Sequence, residues 1–163
     1  MKTLLILRHA KSSWKDPGMT DHDRPLNARG KQAAPRIGKL IYDQGLQPDL
    51  ILCSNTKRAR STAKRVVAGG DFSCSLQLLD EFYLAPADTY IEALWQQPAE
   101  CNRILVIGHN PGLEELVLLL TGTSLALPTA ALVHVEFAID SWFELSDHGR
   151  GKLVAHWEPR DLV

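Results

Sequence analysis

The stretch Leu4–His9 reads Leu-Leu-Ile-Leu-Arg-His, so that a short apolar run ends in an arginine followed by a histidine. The stretch Ile104–His109 reads Ile-Leu-Val-Ile-Gly-His, so that a second apolar run is also followed by a histidine. Short continuous apolar runs of this kind are typical of strands buried in a parallel sheet. Because open parallel sheets carry their active sites at the carboxyl ends of their strands, we expect His9 and His109 to lie at a functional edge of the sheet.

Strand and helix patterns alternate through the first two thirds of the chain. Apolar runs at residues 50–53 and 76–79 predict two more strands, and helical spacing of apolar residues predicts helices between the strands. The helices are predicted over residues 27–43, from a cap at 54–56 to about residue 68 with Gly69 and Gly70 closing it, over 86–97 and over 112–121. Residues 132–138 and 152–157 alternate between apolar and polar side chains, which indicates antiparallel strands.

This order of elements predicts an α/β fold. We expect a mostly parallel central sheet with helices on both faces, and antiparallel edge strands formed by the C-terminal part of the chain. The 163 residues contain no repeat and no linker, which is typical of one domain spanning residues 1–163.

The overall composition is that of an ordinary globular protein. The chain has 18 Lys and Arg against 19 Asp and Glu, a net charge of −1, which gives no argument for partners such as nucleic acid or an acidic membrane. No stretch approaches the ~20 apolar residues that a membrane span needs. The first strand begins at once without a secretory signal pattern, and the three cysteines have neither disulfide nor metal-site spacing. We therefore expect a cytoplasmic protein.

Arginines near the two histidines indicate phosphate chemistry. A phosphate group carries roughly −1.5 to −2 charges at pH 7, and the planar fork of an arginine binds two of its oxygens. Arg8 is one candidate ligand. Arg58 is a second, because Ser54–Thr62 follows the second predicted strand and opens its helix at the same edge of the sheet. The helix N-termini at this edge add backbone N–H donors to the predicted site.

These residues resemble the histidine phosphatase superfamily, often named for phosphoglycerate mutase. The Arg-His-Gly motif of that family matches Arg8–Ala10, its Ser-x-x-x-Arg-Ala-x-x-Thr motif matches Ser54–Thr62, and its Gly-His motif lies within Gly108–Glu114. Together with Asp23–Gly30, that last stretch resembles the SixA-type phosphohistidine phosphatase branch. The resemblance runs over nearly the whole chain and implies a phosphoglycerate mutase-like fold.

The resemblance also implies roles for individual residues. His9 would be the nucleophile, transiently phosphorylated before water releases phosphate. Arg8, Arg58 and His109 would complete the phosphate pocket and stabilise charge on the transferring group, with Ser12 as a further phosphate ligand. No metal and no organic cofactor is expected under this resemblance, because the arginines supply the positive charge.

The general acid has several candidates. Glu81 is the best match to the carboxyl group with which some relatives protonate the leaving oxygen of an alcohol ester, and Asp21 and Asp23 are alternatives. A phosphohistidine needs little help from an acid, because it leaves as a neutral imidazole whose conjugate acid has a pKa of about 6.5. The chain also lacks the long insertions that form a lid in larger relatives. Both features favour phosphohistidine on a protein surface as the substrate.

Our main hypothesis is a phosphatase that acts through a phosphohistidine intermediate and removes phosphate from phosphohistidine in a protein. One alternative is a small-molecule phosphomonoesterase that uses the same site with Glu81 as its acid. A second alternative is a non-catalytic phosphate-binding module. The partner is accordingly a phosphorylated protein or a small phosphate ester.

Overall fold

The computed structural model describes residues 1–146 and 151–162, in which six strands form one sheet. The strands are β1 (Lys2–Arg8), β2 (Leu50–Ser54), β3 (Ser75–Leu79), β4 (Arg103–Gly108), β5 (Leu132–Phe137) and β6 (Lys152–Trp157). They lie in the order β3-β2-β4-β1-β5-β6. The first four strands pair in parallel, whereas β5 and β6 are antiparallel. This arrangement confirms the predicted mostly parallel sheet with antiparallel C-terminal strands.

Four α-helices in the described residues cover the two faces of the sheet. They are α1 (Ala28–Asp43), α2 (Lys57–Gly70), α3 (Ala87–Trp95) and α4 (Gly112–Thr121). Side chains of β1 alternate between the faces: Leu5 and Leu7 pack in the cluster that contains α1 and α2, and Leu4 and Ile6 pack with α3 and α4. Helices on both faces are therefore confirmed. None of the helices in the described part of the chain is long and apolar enough to cross a membrane.

The pairing of β1 with β4 positions the two histidines. Arg8, the last residue of β1, lies opposite Gly108, the last residue of β4. The backbone N–H of His9 donates to the carbonyl oxygen of Gly108 at 3.1 Å, which continues the pairing one residue further. His9 and His109 consequently leave the sheet side by side.

Helix α2 is longer than the sequence predicts. Gly69 and Gly70 do not close this helix but form its last turn, and Asp71 follows in the left-handed region with φ of 53°. A Cβ atom on Gly69 would lie only 2.2 Å from the carbonyl oxygen of Pro35 in α1. The glycine therefore permits the close approach of two helices, a long-range requirement that a local end signal cannot reveal.

We expect Gly69→Ala to destabilise the protein by about 1–3 kcal/mol, because the added methyl group must push α2 away from the α1 backbone. Gly18→Ala is the matched control, since the Cβ atom there meets only Asp16 at an ordinary 3.4 Å. The free energies of unfolding in urea of both variants and the wild type provide the measurement. Equal stabilities for the two variants would contradict the packing argument.

Candidate active site

A cavity of about 540 Å³ lies at the carboxyl ends of the parallel strands. Four of its lining residues belong to the sequence motifs and lie at or just after the ends of β1, β2 and β4, namely Arg8, His9, Arg58 and His109. Side chains from the loop after β1 also line it. The residues that line it are Arg8, His9, Lys11, Ser12, Trp14, Asp21, Arg24, Arg58, Tyr83, Leu84, His109, Asn110 and Thr129. The structure thus brings His9, Arg8, Arg58, His109 and Ser12 together, although they are spread over about 100 residues of sequence.

His9 is held as a neutral imidazole with one free ring nitrogen. Its Nδ1 lies 2.8 Å from the carbonyl oxygen of Ala10. A carbonyl oxygen only accepts, so Nδ1 carries the ring proton and Nε2 keeps its lone pair. Burial, followed by the nearby cations of Arg58 and Arg8, lowers the pKa of His9 from its ordinary 6.5 to about 4. At neutral pH His9 therefore has the protonation state that a nucleophile needs.

The loop after β1 is tied to α2 through one threonine. The backbone N–H of Ala10 donates to Oγ1 of Thr62 at 3.0 Å. The same hydroxyl donates to the carbonyl oxygen of Arg58 at 2.7 Å. The Thr62 side chain thereby links the residue after His9 to the helix turn that carries Arg58, which gives a structural reason for the spacing of the Ser54–Thr62 motif.

His109 lies beside His9, and one of its ring nitrogens has no hydrogen-bond partner among the described residues. The two ring centres are 5.1 Å apart, and Nε2 of His109 is 2.8 Å from the hydroxyl oxygen of Ser54. Nδ1 of His109 is buried and has no partner among the described residues. Burial lowers the pKa of His109 to about 3, and His9 and Arg58 contribute to the lowering. Two neutral imidazoles therefore lie in contact within a cationic cavity.

Arg8 is anchored by Leu127, which lies between α4 and β5. Its Nη1 donates to the carbonyl oxygen of Leu127 at 3.0 Å, while its Nε is buried without a partner among the described residues. The carboxylate of Glu114 accepts a hydrogen bond from the backbone N–H of the same Leu127 at 2.8 Å. One nitrogen of Arg8 is therefore fixed, and another is buried with its hydrogen-bonding capacity unused among the described residues.

Asp21 joins two buried arginines inside the cavity. Its carboxylate accepts from Nη2 of Arg58 at 3.0 Å and from Nη1 of Arg24 at 2.9 Å. The hydroxyl of Tyr83 also donates to it. The Tyr83 hydrogen bond, followed by those of the two arginines, holds the pKa of Asp21 well below its ordinary range. The carboxylate is therefore ionised and orients both guanidinium groups.

Arg24 is a site residue to which the sequence reasoning gave no chemical role. Its guanidinium group donates to the hydroxyl of Ser12 and, through Nε, to the carbonyl oxygen of Ser13 at 3.1 Å. The centre of the guanidinium lies 3.2 Å from the ring centre of Trp14, a cation–π contact. The signal was present, because Arg24 belongs to the Asp23–Gly30 stretch that carries the SixA-type resemblance.

Glu81 does not lie in the cavity, so its assignment as general acid there requires correction. It belongs to the 3-10 turn Asp80–Phe82, in which Phe82 is fully buried in the core. Tyr83, the next residue, faces the cavity, whereas Glu81 is exposed and lines a separate depression beside α3. Asp23, an alternative, is not among the lining residues and accepts a hydrogen bond from Thr20.

Comparison with known proteins identifies the family. The model of the histidine phosphatase superfamily (branch 1) matches residues 4–83 of this chain. An uncharacterized chloroplastic protein of Arabidopsis thaliana is 33% identical over 165 residues, which cover 93% of this chain and 75% of that protein. The chain belongs to the histidine phosphatase superfamily. An uncharacterized protein of Mycobacterium tuberculosis is also 33% identical, over 118 residues that cover 72% of each chain.

Solved structures show the same fold as this histidine phosphatase. A protein assigned as the phosphohistidine phosphatase SixA from Agrobacterium tumefaciens superposes with a TM-score of 0.84 at 29% identity, covering 97% of this chain and 98% of that one. The structure of the protein histidine phosphatase SixA complexed with tungstate has a TM-score of 0.84 at 22% identity, with 99% of both chains covered. The predicted family and phosphoglycerate mutase-like fold are confirmed, and the protein is a phosphatase.

Positive charge in the histidine phosphatase site comes from Arg8, Arg24, Arg58 and Lys11. Within residues 1–146 and 151–162, no group of three or more His, Cys, Asp or Glu side chains is arranged to hold a metal ion. The lining residues offer a phosphate guanidinium and imidazole nitrogens and the ammonium group of Lys11.

The two buried histidines of the site, His9 and His109, predict acid sensitivity of the fold. The unfolded chain takes up protons on histidine near pH 6.5, whereas His9 and His109 resist protonation until about pH 4 and about pH 3 in the folded state. The unfolded state therefore binds more protons, and stability falls as the pH drops below 6.5. Between pH 6.5 and pH 5 the loss is on the order of 1.5 kcal/mol per histidine.

We expect His109→Gln to show a shallower loss of stability than the wild type between about pH 7 and about pH 5, because a histidine whose pKa is lowered in the folded state is removed. Urea unfolding of both proteins at each pH provides the measurement, and every other titrating group is common to the two. Parallel loss of stability in the two proteins would contradict the assignment of the acid sensitivity to this histidine.

Proposed function

We propose that this phosphatase hydrolyses phosphohistidine in a protein and does so through a phosphohistidine intermediate on His9. The observation that carries the proposal is a neutral, nucleophilic His9 in a cationic cavity that offers no carboxylic acid to a leaving oxygen. Asp21 is the one carboxylate among the described lining residues, and Arg24, Arg58 and Tyr83 hold it ionised. The similarity in fold to SixA phosphatases supports the same proposal.

Binding places the phosphoryl group against the arginines. The guanidinium group of Arg58, which bonds to Asp21 in the free enzyme, then donates to the phosphoryl oxygens. Arg8 contributes its Nε, which has no partner among the described residues. The unpartnered Nδ1 of His109 provides a further nitrogen beside His9. These groups stabilise the negative charge on the three phosphoryl oxygens as the phosphorus passes between two nitrogen atoms.

The first chemical step transfers the phosphoryl group to His9. The lone pair on Nε2 of His9 forms a bond to phosphorus, and the bond from phosphorus to the substrate ring nitrogen breaks. The electron pair of the broken bond stays on that ring nitrogen. Because the other nitrogen of the substrate ring carries a proton, the leaving group is a neutral imidazole.

The second step releases the phosphate. A water oxygen attacks the phosphorus of phosphorylated His9, and the bond from phosphorus to Nε2 breaks with its electron pair returning to the ring. Both protons of the water remain on the released inorganic phosphate. His9 is again neutral, and the Nδ1–H bond to the carbonyl of Ala10 keeps it in its starting tautomer. The sum of both steps is phosphohistidine plus water giving histidine plus phosphate.

The leaving group separates this proposal from the phosphomonoesterase alternative. An alkoxide is a poor leaving group and needs a positioned acid, whereas an imidazole does not. Glu81, which the alternative requires, lies in a different depression, so the geometry favours phosphohistidine over alkyl phosphates. The retained nucleophile His9, with its lone pair on Nε2, favours turnover over a pure binding module.

Three substrates test the proposal directly: a histidine-phosphorylated peptide, an aryl phosphate with a good leaving group, and an alkyl phosphate. We expect wild-type kcat/KM for the alkyl phosphate to be about 100-fold or more below that for the peptide, because no acid assists the alkoxide. His9→Ala should abolish hydrolysis of all three, with a chelator present throughout. Equal kcat/KM for the peptide and the alkyl phosphate in the wild type would contradict the proposed substrate.

A second test concerns the planar guanidinium group of Arg58. We expect Arg58→Ala to lower kcat/KM for the aryl phosphate about 100-fold to 1,000-fold, as the loss of one transition-state donor does elsewhere. Arg58→Lys should recover little, because an ammonium group cannot bridge two phosphoryl oxygens. Lys64→Ala, on the exposed side of the same helix, serves as the control with unchanged kinetics. Full activity in Arg58→Lys would show that charge alone suffices there.

A further inference from the structure

A second depression, of about 450 Å³, adjoins the catalytic cavity. Lys11 and Thr129 line both of them, so the two spaces share one wall. The far side of the second depression is formed by α1 and by the C-terminal 3-10 turn Pro159–Leu162. We refer to this space as the basic depression, after its four cationic lining residues Lys11, Arg29, Arg36 and Arg160.

One face of α1 supplies two of these cations. Arg29, Gln32, Ala33 and Arg36 occupy positions i, i+3, i+4 and i+7 of the helix, which places them on one side, and all four line the basic depression. Both arginines are exposed, and neither lies within ion-pair distance of a carboxylate among the described residues. The helix therefore presents to a concave surface two guanidinium groups that have no ion-pair partner among the described residues.

The charges beside the depression are only partly compensated. Lys39, on the same helix, is paired with Asp43 at 2.6 Å. Arg160 is paired with Glu158 at 2.6 Å, and among the described residues no carboxylate lines the basic depression beside its four cations. The whole chain carries a net charge of −1, so this excess of positive charge reflects local clustering and not composition. A concave surface with one sign of charge concentrates ligands of the opposite sign.

We propose that the basic depression binds an acidic segment of the phosphorylated protein substrate, with aspartate or glutamate carboxylates pairing with Arg29 and Arg36. This inference rests on the proposed function, because it supplies the substrate protein with a second point of attachment beside the phosphohistidine. The shared wall at Lys11 and Thr129 places the two points next to each other. The depression acts on substrate affinity and takes no part in the chemical step.

Two phosphohistidine peptides of equal length test this inference, one with Asp and Glu flanking the phosphohistidine and one with Asn and Gln at those positions. The enzymes are the wild type and the double variant Arg29→Gln/Arg36→Gln. The matched control is Lys64→Gln/Arg65→Gln, which removes the same charge from α2, where neither residue lines the basic depression. An aryl phosphate, which is too small to reach the depression, reports on the catalytic site alone.

We expect the double variant to lose about fivefold in kcat/KM for the acidic peptide, as two exposed ion pairs would give, through a higher KM at unchanged kcat. The neutral peptide and the aryl phosphate should be affected less than about twofold. The preference of the wild type for the acidic peptide should also weaken between about 50 mM and about 300 mM salt, because exposed ion pairs are screened. The control variant should behave as the wild type.

Equal kcat/KM of the wild type for the two peptides would overturn the inference, and so would an equal loss in the control variant. The double variant could instead show a lower kcat/KM for a small bisphosphate and an unchanged kcat/KM for the acidic peptide. That result would show that the depression binds a second phosphate group, and it would overturn the inference of peptide binding. Hydrolysis of the aryl phosphate without hydrolysis of either peptide would instead overturn the proposed function, and the acidic segment with it.

Discussion

The parallel pairing of β1 with β4 is the constraint on which the site depends. Arg8 lies opposite Gly108, so the two residues that follow, His9 and His109, leave neighbouring strands at the same level. A shift of the register by one residue would send each side chain to the other face of the sheet. The register is secured by the core, because the alternating side chains of β1 are fully buried in the two clusters on either face.

Burial and charge act together on the two histidines. The same core that fixes their positions excludes water, and that exclusion lowers the pKa of both rings. The arginines then supply the positive charge that neutral imidazoles lack, while Asp21 keeps Arg24 and Arg58 oriented before a ligand arrives. Nucleophilicity therefore belongs to His9 and phosphate affinity to the arginines. Pairing with Asp21 limits the free-energy cost of burying the charges of Arg24 and Arg58.

Some features could be predicted because their causes are local. Asn27 caps α1 by accepting a hydrogen bond from the backbone of Gly30, three residues away, and the helix begins where the sequence places it. Thr56, one of three candidate caps, starts α2 in the same manner. Glu81 lies outside the cavity in which it was expected, because the direction of a side chain in a short turn depends on distant contacts. Phe82 is buried in the core, and Tyr83 donates a hydrogen bond to Asp21, 62 residues away.

The sequence by itself determined the strands and helices, the parallel sheet, the placement of Arg8, His9 and His109 at strand ends, and that of Arg58 at the start of a helix, since each rests on patterns within a few residues. Only the tertiary structure decided that Arg24 and Asp21 join the site, that Glu81 faces away from it, and that Lys11, Arg29, Arg36 and Arg160 surround one depression. The physical reason is that these arrangements depend on contacts between segments far apart in the chain, and their free energy is set by packing that no local pattern records.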